Sequence, residues 1–82
     1  MDIAKIKKQY QSSEDRKKDL QITLQFVCDE YDLCVAANGA NHPQCMVLLS
    51  IKQQVQAELE LVCSQMTLLE CLLEMQNSGK TE

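Results

Sequence analysis

From Ile3 to Cys34 the chain steps 3, 4, 3, 4 through Ile3, Ile6, Tyr10, Ser13, Lys17, Leu20, Leu24, Val27, Tyr31 and Cys34. A spacing of 3.5 residues lies close to the 3.6-residue turn of an α-helix and far from the two-residue alternation of a strand. Ten positions in one register therefore predict a single long helix with a stripe down one face. Ser13 and Lys17 break the apolar character of the stripe and leave its spacing intact. Ser12-Ser13-Glu14-Asp15 also has the composition of a fresh N-cap, which would divide the segment into helices over 2–11 and 13–37. Because the register survives that point, one helix over about residues 2–37 is expected, with Asp2 as N-cap. Glu14 and Lys18 form a favourable (i, i+4) pair, and Glu14 with Lys17 an (i, i+3) pair. Lys5, Lys7 and Lys8 near the start, and Asp29, Glu30 and Asp32 near the end, oppose the macrodipole. Packing against another element, rather than local electrostatics, must then hold this helix.

Asn38-Gly39 supplies a stop signal, since glycine at the C′ position tolerates positive φ. Asn41-His42-Pro43 supplies the next start, with Asn41 or His42 as N-cap and Pro43 in the first turn. A second helix is expected over about 43–77, ended by Asn77-Ser78-Gly79, with a tail over 78–82. Its seam is read as Leu48, Ile51, Val55, Leu59, Val62, Met66, Leu69 and Leu73, where the two steps of four between Ile51 and Leu59 form a stutter. A connection of about six residues suits an antiparallel pair. The expected fold class is all-α: one elongated antiparallel helical hairpin over residues 1–82, paired into a four-helix bundle or coiled-coil assembly.

The segment LELVCSQMTLLECLLEM carries more apolar surface than a two-helix seam requires. Leu59, Val62, Met66, Leu69 and Leu73 follow the seam. Leu61, Leu68 and Met75 form a second line seven residues apart, with Leu72 between the two. Together they cover an arc of roughly 160°. On the first helix, Phe26 and Leu33 form a similar flanking line. Folding the hairpin at residues 40–41 sets Leu24, Val27, Tyr31 and Cys34 against Leu48, Ile51 and Val55. It also sets Ser13 and Lys17 against Met66 and Leu69, so the richest apolar segment meets the most polar one. Lys5 and Lys8 fall near Glu74 and Glu70. Nine large apolar side chains, each worth ~1.5–3 kcal/mol when fully buried, leave enough uncovered surface to drive association. Leu59, Leu61, Val62, Met66, Leu68, Leu69, Leu72, Leu73 and Met75 are accordingly the expected partner-binding residues. The expected function is a non-enzymatic coiled-coil dimerisation or scaffold subunit of a larger assembly, with a homo-oligomer expected. The alternative is a monomeric adaptor that accepts an amphipathic helix of another protein in the same groove.

Composition narrows the function classes. Chains of this length bury only about 60 % of their unfolded surface, so oligomerisation is a common source of further stability. The net charge of −4 disfavours nucleic-acid binding. Residues 1–20 carry +2 and the remainder −6. Without interleaved aromatics, the basic cluster reads as a solvated face. The sequence contains one histidine, His42, and no glycine-rich phosphate loop, so no catalytic residue and no cofactor is expected. His42 with Cys45 offers too few ligands for a closed zinc centre, so no metal is expected either. The five cysteines include no C-x-x-C pair and are read as reduced, packed thiols. Cys34 and Cys45 flank the turn closely enough for a disulfide as the alternative. MDIAKIKKQY lacks the apolar run of a signal peptide, and the uncharged stretch from Leu33 to Ile51 contains Asn-Gly-Ala-Asn-His-Pro-Gln and cannot span a membrane. An intracellular location, cytoplasm or nucleus, is the resulting expectation.

Overall fold

The computed structural model describes the backbone of residues 2–80 and the side chains of residues 2–76. Two helices, α1 (Ile3–Asn38) and α2 (Pro43–Lys80), fold back on one another as an antiparallel hairpin with extents of 63 × 15 × 15 Å. Neither helix is long and apolar enough to cross a membrane among the described residues.

Helix α1 runs unbroken through Ser12-Ser13. Asp2 caps it: its carboxylate accepts from the Ala4 N–H at 3.0 Å. Every position of the heptad stripe from Ile3 to Cys34 is buried or half-buried. Gly39 ends the helix at φ 86°, ψ 153°, with its N–H donating to the Val35 carbonyl at 2.9 Å. This is an extended backbone of positive φ, a region essentially confined to glycine, rather than the left-handed helical cap. His42 caps α2: its Nδ1 accepts from the Gln44 N–H at 3.2 Å, and its carbonyl accepts from the Met46 N–H at 3.1 Å. Pro43 occupies the first helical position, where a missing N–H costs nothing.

The seam of α2 differs from the expected one. It runs Cys45, Leu48, Lys52, Val55, Leu59, Val62, Met66, Leu69, Leu73 and Gln76, all buried or half-buried, in unbroken 3, 4 steps. There is no stutter. Ile51 turns to the hairpin's edge and is 39 % exposed. Lys52 takes the seam position instead. Its aliphatic stem can pack there while the ammonium leaves along the surface, 5.7 Å from the centre of the Tyr31 ring. Continuity of register outweighs the greater hydrophobicity of isoleucine. Helix α2 also continues through Asn77-Ser78-Gly79 to Lys80, so Gly79 is accommodated within the helix, and residues 81–82 of the expected tail lie outside the described residues.

The core is small. Leu20, Val62 and Met66 form its centre, with Tyr10, Val55 and Leu59 packed against it. Near the turn, Cys34 and Cys45 are joined as a disulfide across a Cα–Cα distance of 5.7 Å. This corrects the expectation of five reduced thiols. Both cysteines occupy seam positions on opposing helices, so the register itself brings their sulfurs together. Cys28, Cys63 and Cys71 are free thiols.

Candidate protein-binding face

The two edges of the hairpin can be assigned from contacts across the seam. Arg16 pairs with Glu58 at 2.9 Å on one edge. On the other, the Tyr10 hydroxyl donates to Glu70 at 2.7 Å. Heptad spacing then carries these assignments along both helices. On α1 the outer positions of the Arg16–Glu58 edge are the polar Lys5, Ser12 and Asp19 toward the open end and the apolar Phe26 and Leu33 toward the turn. On α2 the edge has Val47, Leu61, Leu68 and Met75, seven residues apart except where Gln54 interrupts. The six apolar side chains, Phe26, Leu33, Val47, Leu61, Leu68 and Met75, are 59 to 69 % exposed. The corresponding outer positions of the Tyr10–Glu70 edge are Gln11, Lys18, Gln25 and Asp32 on α1, and Gln53, Glu60, Thr67 and Glu74 on α2. The first edge is apolar along α2 and at the turn end of α1, and the second is polar except beside the turn, where Met46, one heptad before Gln53, and Leu49, in register with Glu70, are exposed. Ile22 lies exposed on the back of α1.

The nine residues expected to bind a partner divide into two groups. Val62 and Met66 are buried at 4 % and 8 % exposure, inside the hairpin's own core. Leu59, Leu69 and Leu73 are half-buried in the same seam. Leu72 is half-buried on the inner side of the apolar edge, while Leu61, Leu68 and Met75 point outward on it. The expected mismatch between Ser13, Lys17 and the leucine-rich segment therefore does not leave the seam open. Tyr10 packs against the Leu20–Val62–Met66 centre, and the small Ser13 leaves only a groove of about 320 Å³ bordered by Gln9, Gln65, Leu68 and Leu69. A larger groove of about 640 Å³ lies on the same edge at the turn, between Leu33 and Cys34 on α1 and Pro43, Val47 and Leu48 on α2. Phe26, Leu33 and Val47 were outside the expected partner set. Their signal is the seven-residue step, which becomes a shared face only once the hairpin register is known.

Electrostatics gives the two edges different characters. Donation to Glu70 holds the Tyr10 phenol above its ordinary value of 10.0, with desolvation and the Glu70 and Glu14 charges adding to the effect. Glu70 is thus engaged by Tyr10; among the described residues neither Lys5 nor Lys8 forms an ion pair with Glu70 or Glu74. Lys18 pairs with Glu14 at 3.6 Å, the expected (i, i+4) contact. The Arg16–Glu58 pair is exposed on both sides and so orients the helices more than it stabilises them.

No family model, curated protein or solved structure matches this chain. Six large apolar side chains exposed to this degree leave several hundred Å² on one side, most of the ~800 Å² that each partner brings to an interface of standard size.

Proposed function

We propose that this chain is a non-enzymatic assembly module that pairs with a second copy of itself through the apolar edge, forming an antiparallel four-helix bundle. The observation that carries the reading is the exposed stripe of Val47, Leu61, Leu68 and Met75 beside Phe26 and Leu33, opposite an edge of glutamines and charges. A patch of this size is unusual on a soluble monomer unless it meets something.

Self-pairing fits the distribution of that surface. Toward the turn both helices contribute apolar side chains to the edge, whereas toward the open end only α2 does. In an antiparallel dimer Leu61, close to the midpoint of α2 (Pro43–Lys80), lies at the two-fold axis. Phe26 then comes level with Leu68 of the second copy, and Leu33 with Leu72 and Met75. Arg16 of each copy comes level with Glu58 of the other. A parallel dimer instead sets the α2 stripe of Leu61, Leu68 and Met75 level with Asp19, Ser12 and Lys5 on α1 of the second copy, the polar outer positions of this edge, and buries apolar side chains against polar ones.

The orientation is tested by distances between spin labels placed at Glu60→Cys and, separately, at Glu74→Cys, in a background with Cys28, Cys63 and Cys71 changed to serine. Both sites lie on the polar edge. Fourteen residues of helix at 1.5 Å per residue place Glu74 about 20 Å along the axis from the level of Glu60. The antiparallel dimer then gives a Glu74 pair distance longer than the Glu60 distance by well over 10 Å. Equal distances mean a parallel dimer. The absence of any intermolecular distance, together with binding of a foreign amphipathic helix, means the adaptor role instead.

A further inference from the structure

Cys34, His42 and Cys45 bring one ligand atom each to the turn, all within 4.8 Å of one another. Sequence spacing alone offers His42 and Cys45; the hairpin adds Cys34 from the last turn of the preceding helix. We propose that in the reduced protein these three side chains bind a thiophilic d10 cation, zinc(II), so that the turn alternates between a disulfide-closed and a metal-closed state.

The geometry suits such a site. Zinc holds sulfur at about 2.3 Å and imidazole nitrogen at about 2.0–2.1 Å, so its donor atoms stand about 3.3–3.8 Å apart. The bonded sulfurs are closer than that and must part by more than an ångström on reduction, while the helix ends that carry Cys34 and Cys45 and the cap residue His42 keep all three donors within reach of one cation. Cys45 is fully buried in the first turn of α2, so the cation, rather than water, would hold its sulfur as the thiolate. Asn38 points its amide nitrogen at the Cys34 sulfur from 3.8 Å, an outer contact suited to a bound thiolate. Two thiolates with one imidazole select a soft or borderline cation over calcium or magnesium. Three protein ligands leave the fourth tetrahedral position to water.

The chemistry balances. A low-molecular-weight thiol reduces the bond: one disulfide and two RSH give two cysteine thiols and one RSSR. Zinc then displaces the two thiol protons and forms two Zn–S bonds and one Zn–N bond. Metal and disulfide are mutually exclusive, because they use the same two sulfurs; once zinc leaves and the thiols are reprotonated, exchange with RSSR re-forms the disulfide and returns two RSH. His42 exchanges one role for another. Its Nδ1 accepts from the Gln44 N–H, and ligation through Nδ1 occupies that lone pair, while ligation through Nε2 of a neutral ring puts the proton on Nδ1. Either way the exposed Gln44 N–H passes to water.

The test uses the full chain with Cys28, Cys63 and Cys71 changed to serine, alongside the unaltered chain. Cobalt(II) is added as the probe and displaced with zinc, with and without a non-chelating reductant. The expected result is one cobalt per reduced chain, with thiolate charge-transfer and tetrahedral d–d bands that zinc abolishes, and no binding to the disulfide form. Cys34→Ser and Cys45→Ser each remove the bands. His42→Asn keeps a good helix N-cap and loses the ligand. It should weaken zinc binding by at least the ~10–100-fold typical of disturbing even an outer-shell partner, with circular dichroism unchanged. If reduction costs the chain helix, zinc should restore it at the same one-to-one stoichiometry. Equal binding to the disulfide form, survival of binding in Cys45→Ser, indifference to His42→Asn, or no binding to the reduced chain overturns the proposal.

Discussion

Leu20→Ala measures how far the hairpin depends on its own small core. Leu20 is 8 % exposed and packs between Val62 and Met66, with Tyr10, Val55 and Leu59 around them. Truncation removes three carbons at about 0.8 kcal/mol each and leaves a cavity that a two-helix structure can only partly close, so the loss should be about 3 kcal/mol. A domain of this length is stable by only about 4–12 kcal/mol, so the variant should lose a large fraction of its stability. Phe26→Ala is the matched comparison. Its ring is larger, yet 63 % exposed on the hairpin's edge, so in the isolated hairpin it should cost less than about 1 kcal/mol. Urea unfolding followed by circular dichroism, with the disulfide intact and over a range of protein concentrations, separates the two. Leu20→Ala should shift the midpoint at every concentration with an unchanged slope. Phe26→Ala should matter only where the chain is associated. A Leu20→Ala cost below about 1 kcal/mol, or equal costs for the two variants at the lowest concentration, would refute this division between core and edge.

Three further outcomes follow from particular contacts. Gly39→Val meets no atom within 4 Å, but it must place a β-branched residue at φ 86°; it should cost about 1–3 kcal/mol through backbone strain alone, and an unchanged thermal midpoint contradicts that reasoning. Reducing Cys34–Cys45, which are separated by 11 positions, should remove about 3 kcal/mol of chain-entropy stabilisation and lower Tm by roughly 10–20 °C in the absence of metal; a melting curve indifferent to reductant contradicts it. Tyr10 has its phenol pKa raised in the fold, so its contribution is fully present below pH 10.0 and is lost as pH rises through the raised value. Tyr10→Phe should remove that alkaline fall in stability, which a titration of Tm against pH measures.

Much of the hairpin was legible because the heptad spacing of α1 is long and the turn signals at Gly39 and Pro43 are unambiguous. Two local details were not. Ile51 drew the seam of α2 away from Lys52, since hydrophobicity at a single position cannot reveal that a lysine stem will lie in the seam with its charge over Tyr31. Gly79 looked like a helix stop, although glycine permits other backbones without enforcing them. The candidate face was half legible. Leu61, Leu68 and Met75 announce themselves by sevenfold spacing. Their separation from Val62 and Met66 depends on which way α2 is rotated toward α1, and only the cross-hairpin register decides that. The Cys34–His42–Cys45 cluster shows the same limit. The Cys34–Cys45 and His42–Cys45 pairings were visible in the sequence, but the three-way meeting depends on both helix ends at once.

Sedimentation velocity of the unaltered chain over a wide concentration range, beside the Leu61→Glu, Leu68→Glu double variant, tests self-association most directly. Both leucines are exposed in the single hairpin, at 59 % and 66 %, so charge there should leave the fold intact and act on the contact between copies. Glu60→Gln on the polar edge is the control. The unaltered chain and the control should sediment as a species of twice the 9.3 kDa chain mass, and the double variant as a helical monomer of the single mass. A helical monomer at every concentration for the unaltered chain, or a dimer that survives both glutamates, would contradict pairing through this edge.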